Sequence, residues 1–224
     1  MSAKDRGRRG KNLKRSTETR RIRTTFRVYA EGVSTEPEYI DALKRLPEFA
    51  NAVSVEVSIE EAGATPMHLV ESACADKRRA NLDIDFYWCM FDVEYPQPHP
   101  YLDRARQMAN DNGVHLAISN PCFEIWLILH HRQHGGHLTT DEAIQLRRRL
   151  DGSDGKHLDG SLYTRLTDNA ISRAQALRKR HQLDGTEFPG DNPSSSVDKF
   201  VTHIRELIKS TSEPDTNNDR RPLT

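Results

Sequence analysis

Four acidic side chains stand where strand-like segments end. Glu31 follows the β-prone stretch Thr24–Ala30 and precedes Gly32. Asp92 and Glu94 lie at i and i+2 at the close of the apolar run Asp83–Asp92. Glu124 belongs to the first turn of a helix initiated by Asn120-Pro121. In extended backbone, residues i and i+2 point to the same side, so Asp92 and Glu94 are expected to share a face. Carboxylates brought together at a strand end repel one another and lose water, which is costly unless a cation neutralises them. Hard oxygen donors with open positions suit Mg²⁺ or Mn²⁺, ions that also bind phosphate oxygens. Glu31, Asp92, Glu94 and Glu124 are therefore the expected metal ligands and catalytic groups. Each has a plainer reading as a turn acid, a solvated loop acid or a carboxylate facing a helix N-terminus.

Histidines and basic residues form a second set. His130 ends the apolar helix after Glu124 and is a candidate to orient substrate or donate a proton. His131, His134 and His137 follow closely and read as helix-end and loop residues. Lys11, Lys14, Arg15, Arg20 and Arg21 fall in a basic N-terminal arm, and Arg147, Arg148, Arg178 and Lys179 in basic runs on predicted helices. Such groups contact a nucleic acid backbone through counterion release, or else form solvated faces. Asn192-Pro193-Ser194-Ser195-Ser196 reads first as a helix cap, with phosphate contact as its alternative.

The elements that must position these residues follow from periodicity. Thr24–Ala30, Val53–Ile59, Asp83–Asp92 and Val114–Ser119 read as four strands. The third is apolar nearly throughout and so is expected to be buried on both faces. Helices are predicted after Ser34 or Thr35, from Thr65-Pro66 to about Arg79, over Tyr101–Asn112 and over Cys122–His131. Strands alternating with helices imply right-handed βαβ units and a mostly parallel sheet, an α/β fold. Beyond Gly135-Gly136 the strand signals vanish. Thr140–Leu150, Ser161–His181 and Ser194–Lys209 read as helices. A core over 24–134 and a helical part over 135–209 are thus expected, with tails at 1–23 and 210–224. Ligands of an open parallel sheet bind outside the carboxyl ends of its strands, where all four acids fall.

Composition sets limits. The 224 residues are 35% hydrophobic, with 33 Lys and Arg balancing 33 Asp and Glu, and mean hydropathy is −0.77. The balance hides an asymmetry: residues 1–27 hold eleven basic residues against two acids, a surplus of nine that the rest of the chain offsets. No apolar run reaches the length of a membrane span, and no apolar segment follows the basic start as in a signal peptide. Cys74, Cys89 and Cys122 are an odd number in apolar surroundings, which argues for a reducing cytoplasm and against disulfides or a zinc site.

Four segments together resemble the RloB-like family: Val28-Tyr29-Ala30-Glu31-Gly32-x-x-Thr35-Glu36-Pro37-x-Tyr39, Phe91-Asp92-x-Glu94, Ser119-Asn120-Pro121-Cys122-Phe123-Glu124-x-Trp126-Leu127-x-Leu129-His130, and Asn192-Pro193-Ser194-Ser195-Ser196-Val197. Members often accompany restriction–modification or other phage-defence loci and are regarded as TOPRIM-like. The resemblance implies a TOPRIM-like Rossmannoid core with a mostly parallel four-stranded sheet, plus C-terminal helices. That arrangement uses a glutamate after the first strand and Asp-x-Asp after a later one. Glu31 and Asp92 match it, whereas Glu94 stands where the second aspartate belongs, and its longer arm would move the ion. The implied activity is nucleolytic cleavage in defence, of RNA such as tRNA or of DNA, alongside another protein of the defence system. Two alternatives stay open: a non-catalytic nucleic-acid-binding or regulatory subunit, and a metal-dependent enzyme acting on nucleotides.

Overall fold

The computed structural model describes residues 23–32, 34–59, 64–79, 83–153 and 157–212. β1 (Thr24–Ala30) leads through α1 (Thr35–Lys44) and the short α2 (Pro47–Ala50) to β2 (Val53–Ile59). α3 (Pro66–Arg78) then crosses to β3 (Phe86–Asp92), and α4 (Leu102–Asp111) to β4 (His115–Asn120). The remainder is α5 (Glu124–His131), α6 (Thr140–Asp151), α7 (Ser161–Thr164), α8 (Thr167–Leu183), a two-residue β5 (Ser194–Ser195) and α9 (Val197–Ser212).

The strands form one sheet in the order β2-β1-β3-β4-β5. The first four are parallel, and β5 pairs antiparallel with the end of β4. The sheet thus has five strands where the sequence predicts four. A two-residue strand carries no periodic signal, and the predicted helix Ser194–Lys209 starts only at Val197, with Ser194 and Ser195 closing the sheet edge. Ser161–His181 is likewise two helices, broken at Arg165-Leu166. Ser210 and Thr211, expected in the tail, belong to α9.

Chain direction explains the layers. From β1 the chain moves one way to β2, then returns past β1 to β3 and β4. Right-handed crossovers in opposite directions land on opposite faces. Accordingly α1 packs on the face that carries Phe26, Val28, Trp88 and Met90, and α3 and α4 pack on the face that carries Tyr29, Tyr87, Cys89 and Phe91. The strand order reverses between β1 and β3, so a crevice opens there at their carboxyl ends. Glu31 and Asp92 are the residues delivered to it.

The C-terminal helices share the first of these cores rather than building their own. α5 is apolar all round, with Ile125 to Leu129 fully buried, as expected of a helix wrapped by neighbours. Each such side chain contributes roughly 1.5–3 kcal/mol by burial. α8 packs along it, and Arg173 Nη1 donates to the carbonyls of Leu129 and His130 at 2.7 and 2.8 Å, satisfying the helix end. Cys74, Cys89 and Cys122 are all buried. No helix among the described residues is long and apolar enough to cross a membrane.

Candidate active site

β1 ends at Ala30, and Glu31 turns back over β3. Its amide donates to the Met90 carbonyl at 3.2 Å, and its Oε2 accepts the Asp92 amide at 3.3 Å. The Glu31 Oε1 lies 2.8 Å from His99 Nε2, both side chains being about one-fifth exposed at 18% and 22%. The contact is an ion pair by distance, with the ring N–H poorly aimed for a hydrogen bond. This carboxylate raises the His99 pKa against the lowering effect of burial. His99 itself is held by its amide on the Val93 carbonyl at 2.9 Å. It comes from the proline-rich loop after β3, where nothing in the sequence marks it.

Gly32 allows a fifth acid into the site. A Cβ on residue 32 would lie 1.9 Å from Oε2 of Glu36. The Glu36 carboxylate therefore occupies the space that any other residue at 32 would fill. Glu36 is 5% exposed at the start of α1. Burial, then Glu124 and Glu31, raise its pKa to about 7 against two backbone N–H groups that pull it down. The sequence places Glu36 at a helix start, which conceals it as an ordinary first-turn acid. Its signal is the Glu31-Gly32-x-x-Thr35-Glu36 spacing, meaningful once Gly32 is seen as the clearance for its carboxylate.

Asp92 is the centre of the group. Burial raises its pKa well above the usual carboxylate range, and Glu36, Glu31, Glu124 and Glu94 push it further, in that order. Glu124 starts α5 on the same side of the sheet. With Asp92 it also helps burial to raise the Cys122 thiol. Four acids thus act on Asp92, and among the described residues Asp92, Glu36 and Glu124 take part in no ion pair.

Glu94 does not follow the expected geometry. β3 ends at Asp92, and Glu94 has a left-handed backbone, φ 68°, so the rule that i and i+2 share a side does not apply. Its amide donates to the Pro121 carbonyl at 2.8 Å, and its Oε2 accepts the Thr140 hydroxyl at 2.6 Å. It tethers the start of α6 to the rim and is the last of the acids acting on Asp92.

His130 is not brought to the acids. It is 1% exposed, at the far end of α5 from Glu124. Its Nδ1 is 2.8 Å from the Trp126 carbonyl and its Nε2 3.3 Å from the Tyr39 hydroxyl. Burial lowers its pKa to about 3, so it is a neutral core residue. The basic residues divide similarly. Arg147 is 4% exposed and holds Asp151 at 2.7 Å in the interior. Arg178 makes a bidentate pair with Asp198. Both charges are engaged in the fold, whereas Arg148 and Lys179 are exposed. Lys11, Lys14, Arg15, Arg20 and Arg21 lie outside the described residues.

The donor set, five carboxylates with raised pKa values on Asp92 and Glu36, fits a hard cation. As placed, however, no three His, Cys, Asp or Glu side chains among the described residues converge on one ion position. A groove of about 980 Å³ lies apart from the acids, along the β4 edge between α4 and α9. Its cations Arg106, Arg178 and Lys199 are balanced by Asp103, Asp191, Asp198 and Glu206, so it offers no excess positive charge to a polyanion.

Neither the curated proteins nor the solved structures give a significant match to this chain. The family model described as RloB-like protein matches residues 26–204, from the first strand into the last helix. The chain belongs to the RloB-like family.

Proposed function

We propose that this protein is a TOPRIM-like nuclease dependent on Mg²⁺ or Mn²⁺, which cleaves nucleic acid phosphodiesters in defence against phage. The observation that carries the reading is the meeting of Glu31 and Asp92 across the β1–β3 switch point, with three more acids around them. Glu31, Glu36, Asp92 and Glu124 would hold the ion, with Glu94 at the edge of the group. The bound ion supplies Lewis acidity toward phosphate oxygens and a more acidic water. His99 and the Asp92 amide fix the orientation of the Glu31 carboxylate, which acts as ligand or accepts the proton of the attacking water. That water's oxygen bonds to phosphorus as the P–O bond to the leaving sugar oxygen breaks, and the departing oxygen takes a proton from solvent. The exposed Arg148 and Lys179, with the basic arm, would give sequence-independent affinity for the polyanion. The protein's place is expected to be the cytoplasm, beside another component of a defence system.

A second reading, a non-catalytic nucleic-acid-binding subunit, is favoured by the side chains' failure to enclose an ion position as they stand. Incubation with RNA, single-stranded DNA and plasmid, with Mg²⁺, Mn²⁺ or EDTA, separates the two. Cleavage that is lost in EDTA and in Asp92→Ala supports the nuclease. Binding without cleavage, unchanged in Asp92→Ala, supports the second reading. Turnover of free nucleotides alone would point instead to an enzyme on small phosphorylated substrates.

A further inference from the structure

Ser119 lies directly beside Asp92. The two are in register across the parallel β3–β4 ladder, in strands about 4.8 Å apart. Alternation sets the direction of both side chains. Met90 and Ala117 belong to the core under α1 and α5, so Asp92 and Ser119, each two residues on, point to that same face. It is the face from which Glu36 and Glu124 approach.

Ser119 is 1% exposed. Its carbonyl accepts the Val93 amide at 2.9 Å, but its hydroxyl has no hydrogen-bond partner among the described residues. A buried hydroxyl left unpaired bears its full desolvation cost, and native structures rarely keep one without a reason. Two of the buried polar atoms so left lie beside the acids, Ser119 Oγ and His99 Nε2, and His99 has the Glu31 carboxylate. Serine here contributes little that alanine would not, unless something bound at the acids uses its oxygen.

We propose that Ser119 supplies a neutral oxygen to the divalent-cation site, an inference that rests on the cation reading above. A hydroxyl suits the place: with the acids already repelling one another, a neutral donor adds to the ion's oxygen shell without adding charge.

The test is Mn²⁺ titration followed by the paramagnetic signal of free ion, with thermal melting in the presence and absence of metal. It compares the wild-type chain with Ser119→Ala and with Ser119→Cys, which keeps a single donor atom on Cβ but replaces the hard oxygen by a larger, soft sulfur. Expected is Mn²⁺ binding by the wild type and a loss of roughly 10- to 100-fold in Ser119→Ala, with the metal-free melting temperature unchanged or higher. In Ser119→Cys, preference shifts from Mn²⁺ toward Cd²⁺. Wild-type affinity in both variants would overturn the role of Ser119 and leave the cation site standing. A lowered metal-free melting temperature in Ser119→Ala would also overturn it, by showing a structural hydroxyl. If the wild type takes up no Mn²⁺, the cation reading and the role of Ser119 fall together.

Discussion

The carboxylate of Glu31 accepts the backbone amide of Asp92 at 3.3 Å, joining residues 61 positions apart at the point where the strand order reverses. This bond fixes the end of β1 against the end of β3, and the other acids gather around it. In the absence of a cation Asp92 and Glu36 are a source of instability, because burial and neighbouring like charge both oppose their ionisation.

That instability has a sign in pH. A carboxyl whose folded pKa is raised binds its proton more tightly when folded, so it favours folding at low pH. The advantage fades as pH rises from the unfolded value, about 4, through the folded one. For Glu36 the window runs from there to about 7. His130, lowered to about 3, acts oppositely: it favours folding above its unfolded pKa, and that contribution is lost as pH falls from about 6.5. Comparing wild type with Glu36→Gln removes this acid together with its push on Asp92. In metal-free buffer the wild type should lose stability relative to the variant between pH 4.5 and 7.5, on the order of 3 kcal/mol. Urea denaturation at several pH values measures this, and a pH-independent difference would contradict it.

Gly32→Ala should displace Glu36. The added Cβ would meet its carboxylate at 1.9 Å, and Glu36 is too buried to swing freely. A loss of about 1–3 kcal/mol is expected, typical of overpacking. Shortening residue 36 removes the clash, so Gly32→Ala with Glu36→Ala should be more stable than Gly32→Ala alone. A double-mutant cycle in denaturant reads this coupling directly.

Arg147 and Arg148 are adjacent in sequence and should behave oppositely. Arg147→Ala leaves Asp151 charged and buried, a change that typically costs about 3–5 kcal/mol. Arg148→Ala should change stability by less than about 0.5 kcal/mol and lower the salt dependence of nucleic acid binding by about one contact. Melting curves together with binding measured at several salt concentrations distinguish them.

His130→Gln should weaken folding by about 1–3 kcal/mol through its broken contacts with Trp126 and Tyr39. Any metal-dependent cleavage per folded molecule should remain. Loss of cleavage in a fully folded His130→Gln would restore the catalytic role that its sequence position suggests.

Much of this is legible in the residues. The apolar run ending at Asp92 and the alternation of Val53–Ile59 predict strands that the structure contains, and the carboxyl rim follows from their alternation with helices. Three features escaped for physical reasons. Glu36 looks like an ordinary helix-start acid until Gly32 is seen to make room for it. His99 lies in a proline-rich loop, where no periodicity assigns a direction. Glu94 reads as a continuation of a strand that ends two residues earlier. His130, Arg147 and Arg178 carry polar groups typical of sites, yet each is used internally, which only tertiary packing decides.

The most direct test is an anomalous-scattering crystal structure of the protein soaked in Mn²⁺. A manganese peak within about 2.0–2.6 Å of carboxylate oxygens from Asp92 and at least one of Glu31, Glu36 and Glu124 is the predicted result. Carboxylates that stay apart with no peak between them, at a Mn²⁺ concentration that supports cleavage, would contradict the account.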